Sequence, residues 1–181
     1  MDKVATNLPL SDKKSSRRVI APSVAIQSNR VDPGSFSGMS LAVKSPTADP
    51  NKLKSDSMVS DELPMADVQT SITLPEVMFE KESPPKTVKI GFVIYQNDKF
   101  FQPVVPDEVE SEEESTSVMS RVISSSVQEM TFDNLSKPVE LVFEPALEVD
   151  VESGEPVCVF WDFSAMGKNF FNKYLYFLFS Q

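Results

Sequence analysis

Histidine is absent from this chain of 181 residues, and cysteine and tryptophan occur once each. Without an imidazole, the chain lacks the base of Ser-His and Cys-His nucleophiles and a common ligand of protein-bound metals. Its 5 glycines do not occur in the G-x-G-x-x-G spacing of a phosphate-binding loop. We therefore expect no enzymatic activity, no metal and no cofactor.

Long apolar runs are also missing, since none approaches the roughly 20 residues that a membrane helix needs. The N-terminal residues lack the basic and apolar regions of a secretory signal peptide. The formal net charge of −10 argues against a nucleic-acid partner, because such a protein carries a basic face. A lone cysteine suits a cytosolic protein, or a secreted domain cut short of its partner cysteine.

Three regions of different composition follow one another along the chain. Residues 1–18 are polar and include the basic run 12–18, which predicts a disordered, solvated arm and is less typical of a nuclear signal. Residues 19–164 hold the β-type segments described next, separated by polar loops at 45–64, 81–86 and 107–114. Residues 165–181 form an aromatic tail, whose apolar residues do not alternate with polar ones as they do in the preceding segments.

Short segments rich in β-branched and aromatic residues recur through the middle region. They are Val24–Gln27, Met39–Lys44, Asp67–Leu74, Thr87–Tyr95, Val118–Val127, Val139–Glu144 and Pro156–Phe163. In the best of them, the apolar side chains of Val88, Ile90, Phe92 and Ile94 share one face. About seven such strands with little helical periodicity predict an all-β fold, an antiparallel β-sandwich.

Four places in the sequence carry side chains of special chemistry. The serines at 124–126 are expected to face solvent, since no base is available to activate them. Cys158 is either a small buried hydrophobe or one half of a disulfide whose other half is missing. Trp161 is expected to anchor the core between the sheets. Asn134-Leu135-Ser136 is the only N-x-S/T sequon, and it is a glycosylation site only in a secretory context.

Six segments, taken in order, are similar to the GAIN domain of adhesion G-protein-coupled receptors. They are 24–38, Ser71–Pro75, Val93–Phe101, Val118–Val127, Asn134–Val139 and Cys158–Phe163. The last resembles the opening of the family's proteolysis-site motif, and the whole resemblance covers residues 19–164. It implies the membrane-proximal subdomain B, in which Asn134 would be glycosylated and Cys158 would be half of a disulfide.

The resemblance implies a non-catalytic extracellular domain at the cell membrane. In the whole receptor this domain holds a tethered-agonist strand and supports signalling, with that strand, the seven-helix domain and an extracellular ligand as its partners. Beyond Ser164 the sequence departs from the family pattern and lacks its second tryptophan, further cysteines and His-Leu-Ser/Thr tripeptide. We therefore expect an incomplete domain that cannot cleave itself. The alternative is a generic β-sandwich interaction module unrelated to receptors.

Overall fold

Antiparallel strands make up most of the described part of the protein. The structure is a computed structural model. It describes residues 3–11, 13–44, 58–59, 68–96, 120–132, 134–143, 158, 160–161 and 171–172. The strands are β1 (Ser16–Ala21), β2 (Val24–Val31), β3 (Met39–Lys44), β4 (Met58–Val59), β5 (Val68–Leu74), β6 (Val88–Tyr95), β7 (Val122–Val127), β8 (Glu140–Phe143), β9 (Phe160–Trp161) and β10 (Phe171–Asn172). Within the described residues, the helical elements are α1 (Lys3–Thr6) and two 3-10 helices, Pro33–Ser35 and Glu76–Phe79.

Two four-stranded sheets form the main body. The first has the order β1-β2-β6-β7 and the second the order β4-β3-β5-β8, and every pairing in both is antiparallel. Apolar side chains from both sheets join in one buried cluster, which includes Leu41, Ile72, Ile90 and Phe92. The predicted all-β, antiparallel sandwich is therefore confirmed.

β6 is buried on both of its faces. Its predicted apolar face, Val88, Ile90, Phe92 and Ile94, lies in the core cluster. The other face, with Gly91, is covered by α1, so seven of its eight residues are buried rather than alternately exposed. The strand Met39–Lys44 has the predicted bounds as well.

Proline and glycine lie where the chain turns between the strands. Asp32 precedes the first 3-10 helix, and its Oδ1 accepts a hydrogen bond of 2.9 Å from the amide of Gly34. Gly38 begins the return at φ 93°, where a Cβ atom would lie 3.2 Å from the carbonyl oxygen of Leu74. Pro75 stands at the N-cap of the second 3-10 helix, one residue before the first helical position.

The N-terminal region differs from the disordered arm that the composition predicts. α1 packs against the first sheet with Ala5 fully buried, and β1 already begins at Ser16 and pairs with β2. Lys89 Nζ donates to the carbonyl of Leu8 at 3.5 Å, and Arg17 Nη1 to that of Pro9 at 3.0 Å. Small side chains and these main-chain contacts hold the segment, and neither produces a hydrophobic pattern in the sequence.

A polar group lies within the inner face of the first sheet. Arg18 Nε donates to Gln27 Oε1 at 2.7 Å, and Gln27 Nε2 donates to Asn29 Oδ1 at 3.0 Å. Burial lowers the pKa of Arg18 from its ordinary value. Both amide residues of β2 are buried beside core residues of β6, so these hydrogen bonds offset part of their desolvation cost.

The chain divides into two compact units, Met1–Asn97 with Ser120–Glu144, and Asp98–Met119 with Pro145–Gln181. Both four-stranded sheets belong to the first unit. In the second, β9 and β10 pair antiparallel, with Trp161 opposite Phe171. Part of the predicted aromatic tail therefore pairs with the strand of the predicted proteolysis-site motif.

Candidate functional site

One side of the sandwich, where both sheets end, is the candidate functional site. β7 is the last strand described in the first sheet and β8 the last in the second, and β7 contacts β5, the neighbour of β8. We call these two strands the β7–β8 edge. A terminal strand directs main-chain N–H and C=O groups outward, so it can pair with a further strand.

The inner side chains of the β7–β8 edge are apolar but incompletely covered. Ile123 of β7 and Leu141 of β8 pack on the core cluster, yet both are only half-buried. In β6, Phe92 and Ile94 have no exposed surface at all. Because burial of apolar surface contributes about 25 cal/mol per Å², an added strand that covers this edge would be stabilised.

Two hydroxyl groups lie on the inner faces next to this edge without a hydrogen-bond partner among the described residues. They are Thr70 Oγ1 of β5 and Ser125 Oγ of β7. In register, Thr70 lies opposite Phe143 and Ser125 opposite Phe92. An unsatisfied buried hydroxyl costs about 1–3 kcal/mol, so a main-chain group brought close to either oxygen would be favoured there.

The prediction that the serines at 124–126 face solvent is wrong for Ser125, whose Oγ is buried. The alternation of β7 contains the signal. Ile123 and Val127 both join the core, and a strand places the residue midway between them on the same face. Ser126 lies on the other face and pairs in register with Gly91.

The start of β7 is tied to the end of β6. Arg121 is buried, and its Nε donates to Gln96 Oε1 at 2.9 Å. The Oγ of Ser120 donates to the carbonyl of Arg121 at 3.0 Å. These contacts fix the register in which β7 enters the sheet, and with it the side chains that reach the inner face.

Aromatic rings hold the connection between β7 and β8 against the sandwich. Phe79 lies between Phe36 and Phe132, with ring centroids 5.2 and 5.8 Å away and interplanar angles of 79° and 72°. Leu135 and Val139 of the same connection also pack on the core. Edge-to-face rings of this kind add roughly 0.5–1.5 kcal/mol per pair beyond area burial.

Polar contacts at the surface also hold the connection between β7 and β8. Lys81 Nζ donates to the carbonyl of Asn134 at 2.8 Å, and Ser136 Oγ to Glu80 Oε2 at 3.4 Å. Lys137 forms an ion pair and hydrogen bond with Glu76. This hydrogen bond lowers the pKa of Glu76 and raises the pKa of Lys137 from their ordinary values.

Of the three residues singled out in the sequence, Asn134 belongs to the first unit, and Cys158 and Trp161 belong to the second. Asn134 is exposed in the β7–β8 connection at φ 54°, a left-handed conformation that asparagine tolerates. Cys158 is half-buried in the second unit, is a free thiol, and has a pKa raised by burial. Trp161 pairs in β9, but the surroundings of its side chain lie outside what the structure describes. Its role as a core anchor stays a prediction.

The described residues provide neither a cluster of metal ligands nor a helix suited to cross a membrane. These residues contain no group of three or more His, Cys, Asp or Glu side chains that could hold a metal ion. Among their helices, none combines the length and the apolar character required to cross a membrane.

Comparisons with known proteins agree with this geometry. The profile of the family GPS, described as GAIN subdomain B, matches residues 23–169. Among solved structures, the full extracellular region of zebrafish Gpr126/Adgrg6 matches with a TM-score of 0.72 at 19% sequence identity. That match covers 95% of this chain and 21% of the other, so the chain spans about a fifth of that region. A search of curated proteins finds no match.

Proposed function

We infer function from one premise: this chain belongs to the GAIN subdomain B family. We propose that it works as a non-catalytic extracellular domain of an adhesion G-protein-coupled receptor at the cell membrane. Its role there is to hold a tethered-agonist strand, and so to support signalling through the seven-helix domain. Family membership and the likeness to an adhesion-receptor extracellular region support this proposal.

The observation that carries the strand-holding role is the half-buried apolar β7–β8 edge. Main-chain pairing would supply affinity for an added strand, and the inner apolar side chains would select alternate residues of that strand. Leu141 and Ile123 offer apolar contacts, and the hydroxyl of Ser125 offers a polar one. Release of such a strand breaks hydrogen bonds and apolar contacts and needs no covalent reaction.

Hydrogen exchange of the full chain tests this role. The probe is a capped synthetic peptide in which leucine or phenylalanine alternates with threonine. We expect the peptide to slow exchange of main-chain amides in β7 or in β8, because an added strand gives new acceptors to the terminal strand with which it pairs. Protection confined to β1, the terminal strand on the opposite side of the first sheet, would contradict the proposal.

A matched pair of variants sharpens the result. Leu141→Asp places a charge on the inner face of the β7–β8 edge and should abolish the protection. Val19→Asp places the same charge on the outer face of β1, where the side chain is 41% exposed, and should leave the protection intact. Circular dichroism must first show that both variants keep the strand signal of the wild type. Equal loss in both variants would show that the peptide binds nonspecifically.

Membership of a receptor needs a separate test. The transcript that contains the codon for Ser164 should also encode seven apolar spans of about 20 residues each. Full-length transcripts that all lack such spans would overturn the receptor context. They would leave the family and the strand-accepting edge unaffected.

We further propose that the domain does not cleave itself. The self-cleavage that the family resemblance implies uses a histidine as base, and this chain has none. No residue of this chain corresponds to the family's His-Leu-Ser/Thr tripeptide, in which that histidine stands. Mass spectrometry of purified protein after long incubation should give one intact mass, whereas two complementary fragments would overturn this part.

Asn134 is the residue that we propose to carry an N-linked glycan in the secretory pathway. Its side chain is exposed in the turn, and Lys81 contacts only its main-chain oxygen. Secreted from mammalian cells, the wild type should shift in mobility after treatment with a glycosidase that removes N-glycans. Asn134→Gln and Ser136→Ala should both abolish the shift, and a shift that survives both would exclude this site.

Cys158 is proposed to be half of a disulfide in the whole receptor. In this chain its free thiol is half-buried, and burial favours the protonated form by raising the pKa. Peptide mapping of a receptor that contains the chain should find Cys158 linked to a second cysteine. A free thiol in that receptor would contradict the pairing.

A further inference from the structure

Five cationic residues lie at one end of the first sheet, three of them on its outer face, in a protein whose formal net charge is −10. We call them the basic cluster, and they are Lys13, Lys14, Arg17, Arg30 and Lys89. The outer face is the one opposite the core, and it also carries α1. None of the five forms an ion pair with a residue that the structure describes.

Strand register and hydrogen bonds place Arg17, Arg30 and Lys89 on one face, and the path of the chain brings Lys13 and Lys14 to the same end of the sheet. Arg30 of β2 lies directly opposite Lys89 of β6, and Arg17 of β1 stands on the same face, opposite Ser28. Arg17 and Lys89 donate to the consecutive carbonyls of Pro9 and Leu8, so they flank the same loop. Lys13 and Lys14 are exposed and adjoin Ser15, whose carbonyl accepts from the amide of Arg30 at 2.6 Å.

The pairing of Arg30 with Lys89 is unfavourable in the isolated domain. Like charges directly opposite each other on an antiparallel pair destabilise it. Asp12 adjoins Lys13 in the sequence and lies outside the described residues. Asp32 and Glu129 are exposed, and neither forms an ion pair with the basic cluster. A concentration of positive charge held at such a cost is typical of a site that an anionic ligand completes.

We propose that the basic cluster binds a sulfated polysaccharide of the extracellular matrix or cell surface. This inference rests on the proposed function, because an extracellular domain meets such polymers. Two arginines suit sulfate groups by bidentate hydrogen bonding, and three lysines add point charges along a linear polyanion. The otherwise acidic chain confines this attraction to the basic cluster and so orients the domain on the polymer.

Binding of the full chain to immobilised heparin tests the proposal, with hyaluronan as an unsulfated control. We expect retention on heparin that weakens as salt rises, and none on hyaluronan. Vesicles of phosphatidylcholine with phosphatidylserine form a third arm. Equal binding to these vesicles would overturn the proposal in favour of a membrane surface.

Paired variants of equal charge identify the surface. Lys13→Gln with Lys14→Gln changes exposed side chains only and should lower heparin affinity on the order of tenfold. Lys81→Gln with Lys137→Gln removes the same charge from Lys137 of the β7–β8 connection and from Lys81, which contacts that connection, and should leave affinity within about twofold. Equal losses, or no binding at low salt, would overturn the proposal. Neither result bears on strand protection at the β7–β8 edge, so the two proposals fail separately.

Discussion

Ala5 of α1 packs so closely on Gly91 of β6 that a Cβ atom on Gly91 would lie 2.4 Å from the Cβ of Ala5. The same atom would lie 2.9 Å from the main-chain carbon of Ala5 and from the main-chain nitrogen of Thr6. Ser28 and Ser126 flank Gly91 in register, so a row of small residues runs across three strands. Glycine at position 91 is what allows the helix to lie on the sheet.

Gly91→Ala should therefore displace α1. In a strand interior alanine is normally more stable than glycine by roughly 0.5–1 kcal/mol, but here overpacking should lower the free energy of unfolding by about 1–3 kcal/mol. Urea denaturation measures this loss, and hydrogen exchange should show faster exchange in residues 3–11.

Gly34→Ala is the control for that substitution, because its Cβ atom would meet only Asp32 Oδ1, at 3.4 Å. It should leave stability and N-terminal exchange close to the wild type. If Gly91→Ala instead matched the wild type in both measurements, α1 would not be seated on β6 as the structure has it.

Replacing Arg30 should stabilise the domain. Arg30→Gln removes the like-charge pair with Lys89, which should raise the free energy of unfolding by about 0.2–1 kcal/mol. The gain should shrink in high salt because salt screens the repulsion. Thermal denaturation at low and high ionic strength measures both effects.

Arg30→Lys keeps the charge and should show no such gain. A loss of stability in Arg30→Gln at low salt would mean that the arginine stem contributes more by packing than its charge costs. It would also mean that the isolated domain holds the basic cluster at no cost in stability.

Strands with a strong apolar alternation were predictable from sequence. Met39–Lys44 has its predicted bounds, and the inward face of β6 contains Val88, Ile90, Phe92 and Ile94 as predicted. Their burial follows from the side-chain pattern alone, since alternate residues of a strand point to the same face of a sheet and the apolar face packs on the core. The predicted family, the GAIN domain with its subdomain B, is likewise confirmed.

The elements that the sequence did not reveal are stabilised by main-chain and polar contacts. β1 contains Arg17 and Arg18 and resembles a solvated run, yet Arg18 lies on the inner face because Gln27 accepts its hydrogen bond. α1 docks through Ala5 on a glycine, a contact between two residues far apart in sequence. The β7–β8 edge required knowledge of strand order, which the pattern of a single strand does not contain.

Phe79 should be the side chain on which the β7–β8 connection most depends. It is 7% exposed and contacts the rings of both Phe36 and Phe132. Phe79→Ala should cost about 3–5 kcal/mol through lost burial and a cavity, a large part of the roughly 5–15 kcal/mol that stabilises a typical domain. Chemical denaturation measures the loss.

Phe79→Leu retains apolar volume and should cost clearly less than the alanine variant. The comparison separates ring contacts from simple burial, since leucine cannot form edge-to-face pairs. Equal stability of Phe79→Ala and the wild type would show that the aromatic rings do not hold the connection.

The ion pair between Glu76 and Lys137 gives the β7–β8 connection a dependence on pH. The hydrogen bond from Lys137 lowers the pKa of Glu76 below its ordinary value of 4.5, and the same bond raises the pKa of Lys137 above 10.5. Stabilisation from the carboxylate is present above its unfolded pKa and is lost as pH falls through the lowered one. Stabilisation from the ammonium group is present below its unfolded pKa and is lost as pH rises through the raised one.

Lys137→Met should therefore lower the melting temperature at neutral pH by a small amount, because both side chains are largely exposed. The difference from the wild type should vanish in acid, once Glu76 is protonated in the folded state. Lys86→Met, an exposed lysine with no ion pair to a described residue, should show no pH-dependent difference. A difference for Lys137→Met that persists unchanged into acid would assign the effect to packing of the lysine stem, since protonation of Glu76 removes the ion pair but leaves that contact.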